Sequence, residues 1–86
     1  MEEKTVEAWI EVNPLGDDGR PGRCLGQADV DGTRLLADGD LAEVLREMAS
    51  EWASTRGVPL APGTYQVVAW WQYSGECAGV ARWEVP

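Results

Sequence analysis

One segment leaves this chain little architectural freedom. Between Asp40 and Gly57, apolar residues recur with helical spacing: Leu41, Val44, Leu45, Met48, Ala49, Trp52 and Ala53 follow an i, i+3, i+4, i+7 pattern. Asp40-Leu41-Ala42-Glu43 reads as a capping box, with the Asp40 carboxylate able to accept from an early backbone N–H. Gly57 supplies a C-terminal stop and Pro59 prevents continuation. The apolar stripe needs a surface to lie on, and the rest of the chain offers only alternating segments. The expected result is a sheet with one face covered by the helix and the other face open.

The alternation sorts side chains between those two faces. In residues 5–12, Val6, Ala8, Ile10 and Val12 point one way, and Glu7, Trp9 and Glu11 the other. A second strand is expected from Arg23 to Val30. Asp31-Gly32 is a two-residue hairpin signal that leads into a short third strand, pairing Val30 with Thr33, Asp29 with Arg34 and Ala28 with Leu35. Beyond the helix, Thr64–Tyr73 and Cys77–Val85 form the last two strands. Tyr65, Val67, Ala69, Trp71 and Tyr73 make an inward row, which turns Val68 and Trp70 outward. A three-residue loop, Ser74-Gly75-Glu76, pairs Trp71 with Gly79, Ala69 with Ala81 and Val67 with Trp83. A two-residue loop would instead put Arg82 and Glu84 on the apolar face. The fold class predicted is α+β: an antiparallel sheet of about five strands, in the order β-β-β-α-β-β, with one amphipathic helix packed on one face. The leading β-β-β-α order resembles small antitoxin-like domains at the level of fold, with no motif residues behind it. The 86 residues are expected to make a single domain spanning 1–86.

Charge and chemistry narrow the function. The formal net charge is −8, and residues 1–54 carry all of the excess, with thirteen acids against five bases. Such a field repels phosphate backbones, so no direct nucleic-acid binding is expected, and a protein partner with a basic surface is favoured. The chain has no histidine, which removes histidine-based triads and the commonest general base. Asp17-Asp18, Asp29/Asp31 and Asp38/Asp40 lie in turn contexts, where aspartate bonds its own backbone. No metal-ligand spacing, phosphate loop or cofactor motif is present, so no enzymatic activity, catalytic residue, metal or cofactor is expected. Cys24 and Cys77 both fall on expected inward faces and read as buried thiols, or as a disulfide if their strands are neighbours. No apolar run reaches signal-peptide or membrane-spanning length, so a cytoplasmic location without membrane contact is expected.

Two surfaces stand out. On the outer face, Trp9, Val68, Trp70, Val80 and Arg82 would form an apolar centre with a charged rim, as interfaces do. On the helix, Glu43, Glu47 and Glu51 make an acidic ridge, although like charges at i, i+4 cost about 0.2–0.5 kcal/mol per pair. A solvated face is the blander account of that ridge, and Arg82 stacking on Trp70 is the blander account of the outer pair. The function expected is a small acidic protein-binding module. Its most concrete form is a phage or mobile-element inhibitor of a host nuclease or CRISPR-type complex, acting by occlusion or nucleic-acid mimicry. The alternatives are a homodimeric subunit that buries the tryptophan face and, remotely, a carboxylate-only enzyme.

Overall fold

The computed structural model describes residues 7–36 and 39–86. Thr5, Val6 and Asp38, which entered the expectations above, lie outside the described residues. Chain order is β1 (Glu7–Pro14), β2 (Gly26–Asp31), a short helical turn α1 (Thr33–Leu36), α2 (Leu41–Arg56), β3 (Gly63–Trp71) and β4 (Cys77–Val85). The strands form one antiparallel sheet in the order β2-β1-β3-β4, with α2 on one face. The fold is therefore α+β, with four strands instead of five.

The missing strand has a local cause. A hairpin turn at Asp31-Gly32 of the tight two-residue type needs a positive φ at the glycine, and Gly32 is not among the glycines with positive φ. The Asp31 carboxylate instead accepts from the Thr33 N–H at 3.0 Å and from the Thr33 hydroxyl at 2.6 Å. This is how an aspartate caps the start of a helical turn, so Thr33–Leu36 coils and β2 finds its partner in β1. The likeness to β-β-β-α antitoxin-like domains ends here.

The first strand occupies the middle of the sheet because its inner row is wholly apolar. Ala8, Ile10 and Val12 are buried, and they pair with Ala28 and Val30 on one side and with Val67 and Ala69 on the other. The β3–β4 register is two residues from the one expected, with Tyr65 opposite Trp83, Val67 opposite Ala81 and Ala69 opposite Gly79. A slip of two keeps every side chain on its face. The connection Gln72–Glu76 is longer than the three residues expected, and a bulge between Ala69 and Trp70 shifts the pairing by one residue more toward the turn. Tyr73, expected to close the inner row, lies in that connection and is 80% exposed.

The helix is capped as its sequence requires. Asp40 accepts from the Ala42 N–H, and Gly57, at φ 64°, turns the chain so that Val58 N–H bonds the Ala53 carbonyl. Leu45, Met48, Ala49, Trp52 and Ala53 form the buried stripe. The helix crosses the sheet obliquely. Leu41 rests on Gly79 of β4, while the Trp52 ring rests on Gly26 at the start of β2. Eleven residues of helix rise about 16 Å, which matches the three strand spacings, about 14 Å, between the two edges. Among the described residues no helix is long and apolar enough to cross a membrane.

The cysteines do not meet. Cys24 precedes β2 and Cys77 opens β4, so they belong to opposite edges of the sheet, and both are free thiols. Cys77 is exposed and Cys24 half-buried, so neither is the buried thiol the alternation implied.

Candidate functional site: the uncovered sheet face

The pairing of β1 with β3 sets Trp9 directly opposite Trp70 on the face away from α2. Their rings stack with centroids 6.3 Å apart and an interplanar angle of 23°. The two indoles are half-buried, because each covers part of the other and of the strands beneath. Trp9 Nε1 donates to Glu11 Oε1 at 3.5 Å, and Gln27 Nε2 donates to the same oxygen at 3.2 Å. Trp70 Nε1 is buried and has no hydrogen-bond partner. Val68, next to Trp70 along this face, retains only 7% of its surface, whereas Val80 opposite it is 55% exposed.

The carboxylates around this pair lie on one side of it. Glu7 faces Asp31 across the β1–β2 ladder, Trp9 faces Asp29, and Glu11 faces Gln27. The outer surface of β1 and β2 thus carries Glu7, Glu11, Asp29 and Asp31. Like charges directly opposite one another in a sheet are unfavourable. At about 5 Å in water the Glu7–Asp31 repulsion is on the order of 1 kcal/mol or less. The bonds from Thr33 hold the Asp31 carboxyl below the usual aspartate range, with a smaller contribution from Arg34, so Asp31 stays charged. Gln72 Nε2 donates to Asp29 at 3.2 Å. On the β4 side, Arg82 stands opposite Gln66, not beside Trp70, and its carbonyl accepts from Arg46 Nε at 2.9 Å.

The helix ridge is a separate surface, on the other side of the sheet. Arg34 bridges its last two members, lying 3.7 Å from Glu47 and 3.0 Å from Glu51. Arg34 was expected across a hairpin from Asp29. With that hairpin replaced by α1, its guanidinium turns to α2 and Asp29 faces Trp9. Glu43, Glu47 and Glu51 are all exposed, and only Glu43 stands outside this network. The structure therefore assembles Trp9, Trp70, Val68, Val80 and Arg82 on one face and does not bring the helix glutamates to them.

Sequence reasoning placed Glu7 and Glu11 around Trp9 but missed Asp29 and Asp31 as members of the same surface. The signal was present in phase: Gln27, Asp29 and Asp31 alternate with Ala28 and Val30. What was lacking was the knowledge that this strand lies beside β1. Among the described residues no three His, Cys, Asp or Glu side chains gather as a metal site requires. No protein-family model, curated protein or solved structure matches this chain.

Proposed function

We propose that this chain is a small, non-enzymatic protein-binding module that docks through its uncovered sheet face on a partner bearing arginine or lysine side chains. The observation that carries this reading is the stacked Trp9–Trp70 pair, flanked on one side by Glu7, Glu11, Asp29 and Asp31. Stability of the isolated fold does not call for that arrangement. Like charges face each other across β1 and β2, and a buried indole N–H without a partner costs about 1–3 kcal/mol. Cationic groups of a partner relieve the repulsion, and a cation over an indole face adds about 0.5–2 kcal/mol. Tryptophan is also over-represented among the residues that dominate binding energies.

The action that suits such a module is occlusion or bridging of a larger protein. Its narrowest form is an inhibitor, carried by a phage or mobile element, whose carboxylates fill the phosphate-binding groove of a nuclease or CRISPR-type complex. The outer row on β1 and β2 suits that task better than the helix ridge, where Arg34 already compensates Glu47 and Glu51.

Affinity capture from a native lysate at low and high salt tests the reading. Trp9→Ala and the charge reversals Glu7→Lys and Asp29→Lys should each remove the same captured protein, with circular dichroism confirming that the variants fold. Reversing Glu43, Glu47 and Glu51 should leave capture intact. The opposite pattern moves the interface to the helix. A micromolar dimer in sedimentation, dissociated by Trp9→Ala, makes the partner a second copy of the chain.

A further inference from the structure

The two edges of the sheet are finished differently. On β4, the Arg46 side chain reaches over from α2 and bonds the Arg82 carbonyl, so a helix residue occupies the middle of that edge. On β2, among the described residues, the backbone of Gln27 to Val30 bonds nothing but β1. The helix does little to cover this edge. Its oblique path sets the Trp52 ring on β2 at Gly26, brings Met48, Glu51, Thr55 and Arg56 beside Ala28 to Val30, and leaves Ala28 and Val30 half-buried.

Hollows lie on both sides of the free edge. An outer one of about 400 Å³ is bounded by Trp9, Gln27, Asp29 and Gln72, with Arg56 reaching it from the end of α2. An inner one of about 320 Å³ has an apolar floor of Val30, Met48 and Trp52 and a rim that includes Glu51 and Arg56. Another, of about 370 Å³, lies at the end of the strand against Glu7, Asp31 and Gln72. Asp29 borders all of them. An open strand edge with a hollow on each face is the arrangement that accepts an added strand. Main-chain bonds supply affinity, and alternate side chains enter the two hollows.

We propose that the β2 edge takes up an extended segment of the partner protein, in which basic residues alternate with small apolar ones. The basic side chains lie on the outer face, against Asp29, Asp31 and the Trp9 ring. The apolar ones enter the hollow beside Val30, Met48 and Trp52. Charge disfavours a second copy of β2 as the occupant, because it would bring its own Asp29 and Asp31 to the same surface. This proposal rests on the basic partner inferred above and names the part of that partner that is recognised.

The test uses a capped peptide of alternating arginine and valine, about eight residues long, titrated into the isotopically labelled full chain and followed by amide NMR. Two further peptides carry N-methyl groups, one on the arginine amides and the other on the valine amides. Only one set of amides can face β2, so one methylated peptide should bind about tenfold or more weakly and the other nearly as well as the parent. Binding should shift and protect the amides of Gln27 to Val30, and Asp29→Lys should weaken it several-fold. Three results would overturn the proposal: no binding at about 1 mM, equal binding by both methylated peptides, or shifts confined to β4 or α2. If one of these occurs while Trp9→Ala still abolishes capture of the native partner, the edge site fails and the outer-face reading stands. If capture is also insensitive to Trp9→Ala, both fail.

Discussion

Gly26→Ala tests the contact that sets the depth of α2 on the sheet. A β-carbon at Gly26 would stand 2.5 Å from Trp52 Cζ2, 3.3 Å from Cη2 and 3.4 Å from Cε2, all atoms of one rigid ring. Ordinary carbon contacts are about 3.5–4.0 Å, so the nearest overlap is about 1 Å. Trp52 is buried and cannot rotate away without opening the core, so strand or helix has to shift. Overpacking of this kind costs about 1–3 kcal/mol, against about 0.5 kcal/mol gained by replacing a glycine inside a strand. The expected net loss is about 1–2 kcal/mol. With a urea m-value of about 1 kcal/mol/M for a chain of this size, the denaturation midpoint should fall by about 1–2 M. Gly79→Ala is the internal control. Its β-carbon would meet Leu41 Cδ2 at 2.7 Å and Cγ at 3.3 Å, but Leu41 is a flexible side chain at the half-buried start of the helix and can turn aside, so the net loss should be about 1 kcal/mol or less and smaller than that of Gly26→Ala. Combining Gly26→Ala with Trp52→Phe should recover about 1 kcal/mol relative to the sum of the single changes. Equal stability of Gly26→Ala and the parent, or strict additivity with Trp52→Phe, would refute the contact as the limit on helix approach.

Other perturbations separate the two faces. Trp70→Phe removes a buried N–H that has no partner while keeping an aromatic ring against Trp9; stability should change by less than about 1 kcal/mol in urea melts, and a loss above about 2 kcal/mol would mean that the N–H is bonded. Arg34→Ala should cost at most about 1 kcal/mol, because its partners Glu47 and Glu51 are exposed, and the difference should vanish near 1 M salt as screening removes it. Thr33→Ala should raise the Asp31 pKa part of the way toward the ordinary aspartate value in a carboxyl NMR titration, since it removes the hydroxyl bond, the larger cause of the lowering, and keeps the backbone N–H bond. Because folding lowers that pKa, the stability linked to it is present above about pH 4 and is lost as pH falls through the lowered value; in Thr33→Ala that part of the acid dependence should shrink, leaving what the backbone N–H and Arg34 supply.

How far the sequence could be read depended on the range of the interactions involved. Periodicity and capping are local, so α2 was legible from Asp40 to Gly57, and so were the faces of β1, β3 and β4. Face assignment even survived a register error of two residues, because side-chain direction depends only on parity. The tryptophans of the candidate site were visible for the same reason. The fate of Asp31-Gly32 was not: the same dipeptide supports a hairpin or a capped helical turn, and the Thr33 bonds to Asp31 favour the turn.

What the chain determines by itself is thus one amphipathic helix, alternating strands, and two indoles on the side the helix leaves bare. The tertiary structure alone decides the order β2-β1-β3-β4, and with it the placement of Asp29 and Asp31 beside Trp9, the turning of Arg34 to the helix glutamates, and the separation of Cys24 from Cys77. Strand neighbours are chosen by how whole apolar rows pack together beneath a helix that crosses obliquely. That choice is a property of the assembled core, and no local pattern of residues encodes it.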